Sequence, residues 1–166
     1  MTWEAIVIIG LVLAMMLGPV LLLKPNKRQD QLAKMRSEAL SLGMKVSMGK
    51  LQEPVAVYTM SWPASPNTYY GDAEWLLQRK NYQHPIHLNG VWDWHDSQAK
   101  DAVVKKLVDS LDSLPDSVQA ITATRNGLGL YWQEKGGQPQ LQNLAEWLDR
   151  MRTSLWPEVE RSRQGS

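Results

Sequence analysis

The chain has 166 residues, 43% of them hydrophobic, with eight Trp, five Tyr, three His, no Phe, no Cys and a formal net charge of +1. That length holds one domain and an appendage, and the absence of cysteine excludes a disulfide framework and thiol chemistry. The charge is divided: residues 24 to 50 carry seven Lys/Arg against two Asp/Glu, and residues 51 to 166 carry eleven against fourteen. The domain therefore has no basic stripe for nucleic acid.

From Ala5 to Leu23 every residue is apolar, Gly or Pro: AIVIIGLVLAMMLGPVLLL. Nineteen helical residues reach about 28 Å, near the thickness of a bilayer's hydrocarbon core, so the sequence predicts a transmembrane anchor over residues 1–24. The leader MTWE has no Lys or Arg, and no small-x-small site follows Leu23, which argues against a cleaved signal peptide. Basic residues next to a span stay in the cytoplasm. Lys24, Lys27, Arg28, Lys34 and Arg36 therefore predict a single-pass protein of the bacterial inner (cytoplasmic) membrane. Its N-terminus would face out, its C-terminal domain would be cytoplasmic, and these five cations would touch the lipid surface. Gly10, Ala14 and Gly18 stand four apart, a small-residue ladder suited to a neighbouring helix.

Residues 25–43 read as a basic amphipathic juxtamembrane helix. Asn26 is placed to cap it, Leu32, Met35, Ala39 and Leu42 form its stripe, and Gly43 ends it. The stripe fits packing on the chain's own domain first, and lipid or a partner second. After Gly43 the period becomes that of strands, in MKVSM, VAVYTMSW and AEWLLQRK, broken by Pro63, Pro66, Asn67 and Gly71. A helix is expected from about Gln98 to Asp112, with Ala99, Val103, Leu107, Leu111 and Leu114 on one side. Asn126-Gly127 between alternating runs predicts a two-residue type I′ hairpin pairing Ala123 with Leu130 and Ile121 with Trp132. A last helix follows Pro139, with Leu141, Leu144, Leu148, Met151 and Leu155 as its stripe, and a polar tail fills 157–166.

The expected fold is α+β: a single N-terminal transmembrane helix, an amphipathic linker helix, then a small antiparallel sheet covered by two helices over residues 44–156. Because all aromatic packing falls to Trp and Tyr, some N–H and O–H groups should reach solvent or a partner.

The stretch GVWDWHD, residues 90–96, holds the strongest candidate for chemistry. With His84 and His87 upstream, His95 and Asp93 or Asp96 supply ligand types that zinc accepts. The HxxH in a Pro-containing loop is not the helical HExxH that sets two imidazoles on one face. A structural reading explains more: Trp92 and Trp94 point into the core, and Asp96 or Ser97 caps the next helix. No GxSxG, GxGxxG or GxxxxGK[ST] is present, so neither a serine nucleophile nor a phosphate-binding loop is indicated. No catalytic residue and no cofactor is expected.

The order of apolar span, LKPNKRQDQ and short helix, residues 5 to 45, resembles the small accessory subunit of the bacterial Sec preprotein translocase. That resemblance implies an anchored accessory role beside a membrane-protein complex. It ends at Lys45, where the family's glycine-rich barrel pattern gives way to Trp-rich strands. Uncharacterised proteobacterial single-pass proteins are similar along more of the chain and imply no activity. The function expected is thus a non-catalytic, membrane-anchored accessory or scaffold subunit binding a protein partner and membrane lipid. The alternative is a ligand- or metal-binding cytoplasmic domain, or after that an enzymatic one, using the His84–Asp96 loop.

Overall fold

The computed structural model describes residues 3–22, 27–63, 74–86, 88–95 and 97–164. The chain divides into two compact units, Met1–Lys34 and Met35–Ser166.

The first unit contains α1 (Trp3–Leu22) and the start of α2 (Lys27–Ser41). Ile6, Val7, Ile8, Ile9, Leu11, Val12 and Leu13 are all exposed. The expectation of a transmembrane helix is corrected here: among the described residues, no helix is long and apolar enough to cross a membrane. The single-pass, inner-membrane placement, with the N-terminus out and the domain cytoplasmic, rested on that span and is withdrawn with it.

The second unit is α+β. Among the described residues it has six strands, β1 (Met44–Lys50), β2 (Pro54–Ser61), β3 (Trp75–Arg79), β4 (Trp92–Trp94), β5 (Val118–Thr124) and β6 (Gly127–Trp132). They form one sheet in the order β1-β2-β6-β5-β3-β4, antiparallel at every pairing. Strands alternate their side chains between faces, so register decides what is buried. One line across the sheet runs Tyr58, Leu130, Ile121, Leu77 and Trp94, and the next runs Met60, Leu128, Ala123 and Trp75. Leu130, Ile121, Leu77 and Leu128 have no exposed surface. Each such side chain stabilises the fold by about 1.5–3 kcal/mol.

This inner face is covered by α3 (Asp101–Leu111) and α4 (Gly137–Gln164). Val103, Leu107 and Leu111 of α3 are buried, as are Leu141, Leu144, Leu148, Met151 and Leu155 of α4, which repeat every three or four residues. Met35 and Ala39 of α2 add to the same core. The indoles find acceptors inside the unit: Trp132 Nε1 donates to Ser117 Oγ at 3.1 Å, Trp62 Nε1 to the Thr124 carbonyl at 2.9 Å, and Trp147 Nε1 to the Ser110 carbonyl at 3.3 Å.

Three local expectations change. The β5–β6 hairpin turns at Arg125-Asn126, pairing Thr124 with Gly127, Ala123 with Leu128 and Ile121 with Leu130. Neither turn residue has positive φ, so the turn is not type I′. The register moves by two residues, which keeps every side chain on its expected face. Gly127 is drawn into the strand because a Cβ there would overlap the Met60 carbonyl. Next, α3 begins after Lys100 without a side-chain cap; Ser97 Oγ donates instead to the Glu74 carbonyl at 2.6 Å, and Asp96 lies outside the described residues. Finally, α4 continues through Pro157 to Gln164, where a tail was expected.

Gly127→Ala should lower stability by about 2–3 kcal/mol, since backbone on β2 would have to yield. Thermal or urea unfolding of the variant measures this; an unchanged midpoint would contradict the close approach.

Candidate functional site

The sequence candidates separate in the structure. Trp92 and Trp94 face inward as expected. Trp92 is 1% exposed and lies under the Arg79 guanidinium, 5.4 Å from its ring centre. Trp94 meets Trp75 edge-on at 5.7 Å. Asp93 and His95 share the outer face; Asp93 lies 3.8 Å from Lys80 Nζ, and the exposed His95 donates its backbone N–H to the Leu76 carbonyl at 2.9 Å. His84 is exposed, and its Nδ1 accepts the Ile86 N–H at 3.2 Å. His87 lies outside the described residues, and among those described no three His, Cys, Asp or Glu side chains form a group able to hold a metal ion. Of the other candidates, Gly10 has open space where a Cβ would stand, while the side chains of Ala14, Gly18 and Lys24 are not among those described. Lys27, Arg28 and Lys34 are exposed.

Arg36 is turned inward. Its Nε donates to Glu134 Oε1 at 2.6 Å and its Nη2 to Glu134 Oε2 at 2.8 Å. The Tyr58 hydroxyl donates to the same Oε1 at 2.7 Å. Glu134 follows β6, its side chain only 10% exposed, and its backbone takes φ 56°, a left-handed conformation costing roughly 1–2 kcal/mol in a residue with a Cβ. The bidentate guanidinium and the phenol hold it there. Burial, then the hydrogen bond to Glu134 and its charge, push the Tyr58 phenol well above its usual 10, and the hydrogen bond to Glu134 raises Arg36 further into the charged range. The cluster holds α2 to the end of β6. Nothing in the sequence marks it, because Arg36 and Glu134 are 98 residues apart and Arg36 reads as one more cation of a basic run.

A cleft of ≈ 460 Å³ lies between the end of α3 and the start of α4, lined by Asp112, Pro115, Gln140, Asn143, Glu146 and Arg150 among others. Asn89 donates to Asp112 Oδ1 at its rim at 2.5 Å. Its volume suits a small ligand, but its charges are mixed and its side chains set no acid beside a base.

Comparison with known proteins found no matching family model, no matching curated protein and no matching solved structure.

Two outcomes follow for the cluster. Glu134→Gln should cost about 1–3 kcal/mol, below the 3–5 of a fully buried pair because Arg36 is 39% exposed and partly screened. Tyr58 contributes through its raised pKa: the folded state keeps the proton longer than the unfolded chain. Its contribution is therefore whole below about pH 10 and is lost as pH rises above it. Unfolding followed from pH 8 to 12 should show a decline that Tyr58→Phe flattens; an identical decline in the variant would contradict the assignment.

Proposed function

We propose that this chain is a non-catalytic accessory or scaffold protein whose first unit is held by a protein partner. The observation that carries this is α1. Seven consecutive or near-consecutive aliphatic side chains, Ile6 to Leu13, stand 47–62% exposed, and they surround the helix rather than forming a stripe. A helix apolar on all sides is buried in its working state, and an exposed apolar surface of this extent marks an interaction site. The partner must offer an apolar groove deep enough to enclose a helix, and Gly10, with open space around it, is where a second helix can come nearest.

The second unit fits the same role. Its inner face is filled, three of its indoles donate to acceptors within it, and Arg36 and Glu134 are committed to each other. Such a body serves as a rigid support carried by α1.

The test places a photo-reactive residue at Ile8 or Leu11 in the full-length protein in its native cell. One protein should be cross-linked at both positions and recovered in fixed stoichiometry, and Ile8→Arg with Leu11→Arg should reduce that recovery at least tenfold. Cross-linking to lipid alone, or recovery unaffected by the two arginines, would contradict the proposal.

A further inference from the structure

β1 closes the sheet on one side and β4 on the other, and the two edges are finished differently. β4 is three residues long, and its Trp92 N–H is taken by the Leu88 carbonyl at 3.0 Å. β1 runs over the whole of Met44–Lys50 without proline or bulge, paired at every position with β2. Among the described residues nothing bonds to the far side of its backbone.

Which groups face outward follows from the β5–β6 hairpin. A two-residue hairpin closes on a mutually bonded pair, here Thr124 and Gly127. Bonded residues alternate between the two neighbouring strands. Leu128 and Leu130 therefore bond to β2, and Thr59 and Val57 of β2 bond to Lys45 and Ser47 of β1. Met44, Val46, Met48 and Lys50 are left directing both backbone groups away from the sheet. Pro54, which has no N–H to give, stands opposite Lys50, in agreement with this alternation.

The side chains of this edge point the same way. Val46 and Met48 share the inner face with buried Met44, and Met48 is 62% exposed. Large apolar side chains exposed in the second unit are Leu40, Leu42, Met48, Tyr82 and Ile86; the first three lie on β1 or in the residues that lead into it from α2. Lys45 and Lys50 are exposed near either end of β1, without an ion pair among the described residues. Charges defend an edge strand when they interrupt it. These two flank it and leave Val46 to Gly49 uncharged.

We propose that β1 receives an extended segment of a protein partner as a further, antiparallel strand. Every existing pairing in the sheet is antiparallel. Strand addition draws its affinity from main-chain bonds and its selectivity from alternate side chains. The segment carries acidic residues opposite Lys50 and Lys45, matching their charge. Between them it sets apolar residues opposite Met48 and Val46, and polar ones opposite Gly49 and Ser47. Read along the partner, the order is acidic, polar, apolar, polar, apolar, acidic.

The probe is the labelled peptide Glu-Thr-Val-Thr-Val-Glu, titrated into the full-length protein and read by fluorescence anisotropy. The same peptide with Lys at both ends should bind about tenfold more weakly, because two opposite-charge pairs become like-charge pairs. Lys45→Glu with Lys50→Glu should reverse that order. N-methylation of either valine removes an N–H aimed at β1 and should weaken binding about tenfold. N-methylation of either threonine, whose N–H points away, should leave binding unchanged. The methylation comparison uses the unaltered protein, so it holds whether or not the double variant folds. No binding, equal affinity for the two peptides, or equal loss from methylating valine and threonine would overturn the proposal. So would dimerisation of the chain that Met48→Pro abolishes, which gives the edge to a second copy. The peptide reports on β1 and the cross-link on α1, so failure of either reading leaves the other standing.

Discussion

The Glu134 carboxylate is placed where three parts of the second unit meet. It follows β6, the strand at the middle of the sheet; it takes two hydrogen bonds from Arg36 of α2 and one from Tyr58 of β2; and Gly136 and Gly137, both at positive φ, turn the chain from it into α4. Displacing it would leave a guanidinium and a phenol without their acceptor, each costly at partial burial. The left-handed backbone at Glu134 is strain that these bonds offset. Met35 and Ala39, one residue before Arg36 and three after it, are then held in the core, and Glu38 accepts from Gln142 of α4 at 3.1 Å. The share of the inner face that α2 covers thus depends on one charge-assisted contact at the end of the central strand.

The other side of the central strand is built differently. With Leu128, Leu130 and Trp132 all turned toward the helices, the opposite side of β6 is left with Gly127, Gly129 and Tyr131, and the Tyr131 ring reaches across β2 to Gly49 of β1, where a Cβ would meet it.

Much of this was legible beforehand, and the reason is periodicity. The stripes of α3 and α4 and the alternation of β5 and β6 placed Val103, Leu107, Leu111, Leu141, Leu144, Leu148, Ile121, Ala123 and Leu130 on the buried side, and the inward direction of Trp92 and Trp94 followed from the same rule. The hairpin turn missed by two residues because the Asn-Gly signal is local, whereas Gly127 answers to Met60 on a strand far away in sequence. The cap at Asp96 or Ser97 missed because α3 starts later, at Asp101. Arg36 was misread for a related reason: in a run of cations, one that turns inward looks like the rest. The membrane span, inferred from hydropathy along residues 5–23, is not carried by the described helices.

The claim on which the account rests is that Glu134 fastens α2 to the sheet locally. Amide hydrogen exchange of the full-length protein, compared with Glu134→Gln, measures this residue by residue. Amides of Arg36 to Ser41 should exchange about tenfold faster in the variant while those of β5 and β6 keep their protection. An equal loss of protection throughout the second unit, or none in α2, would contradict it.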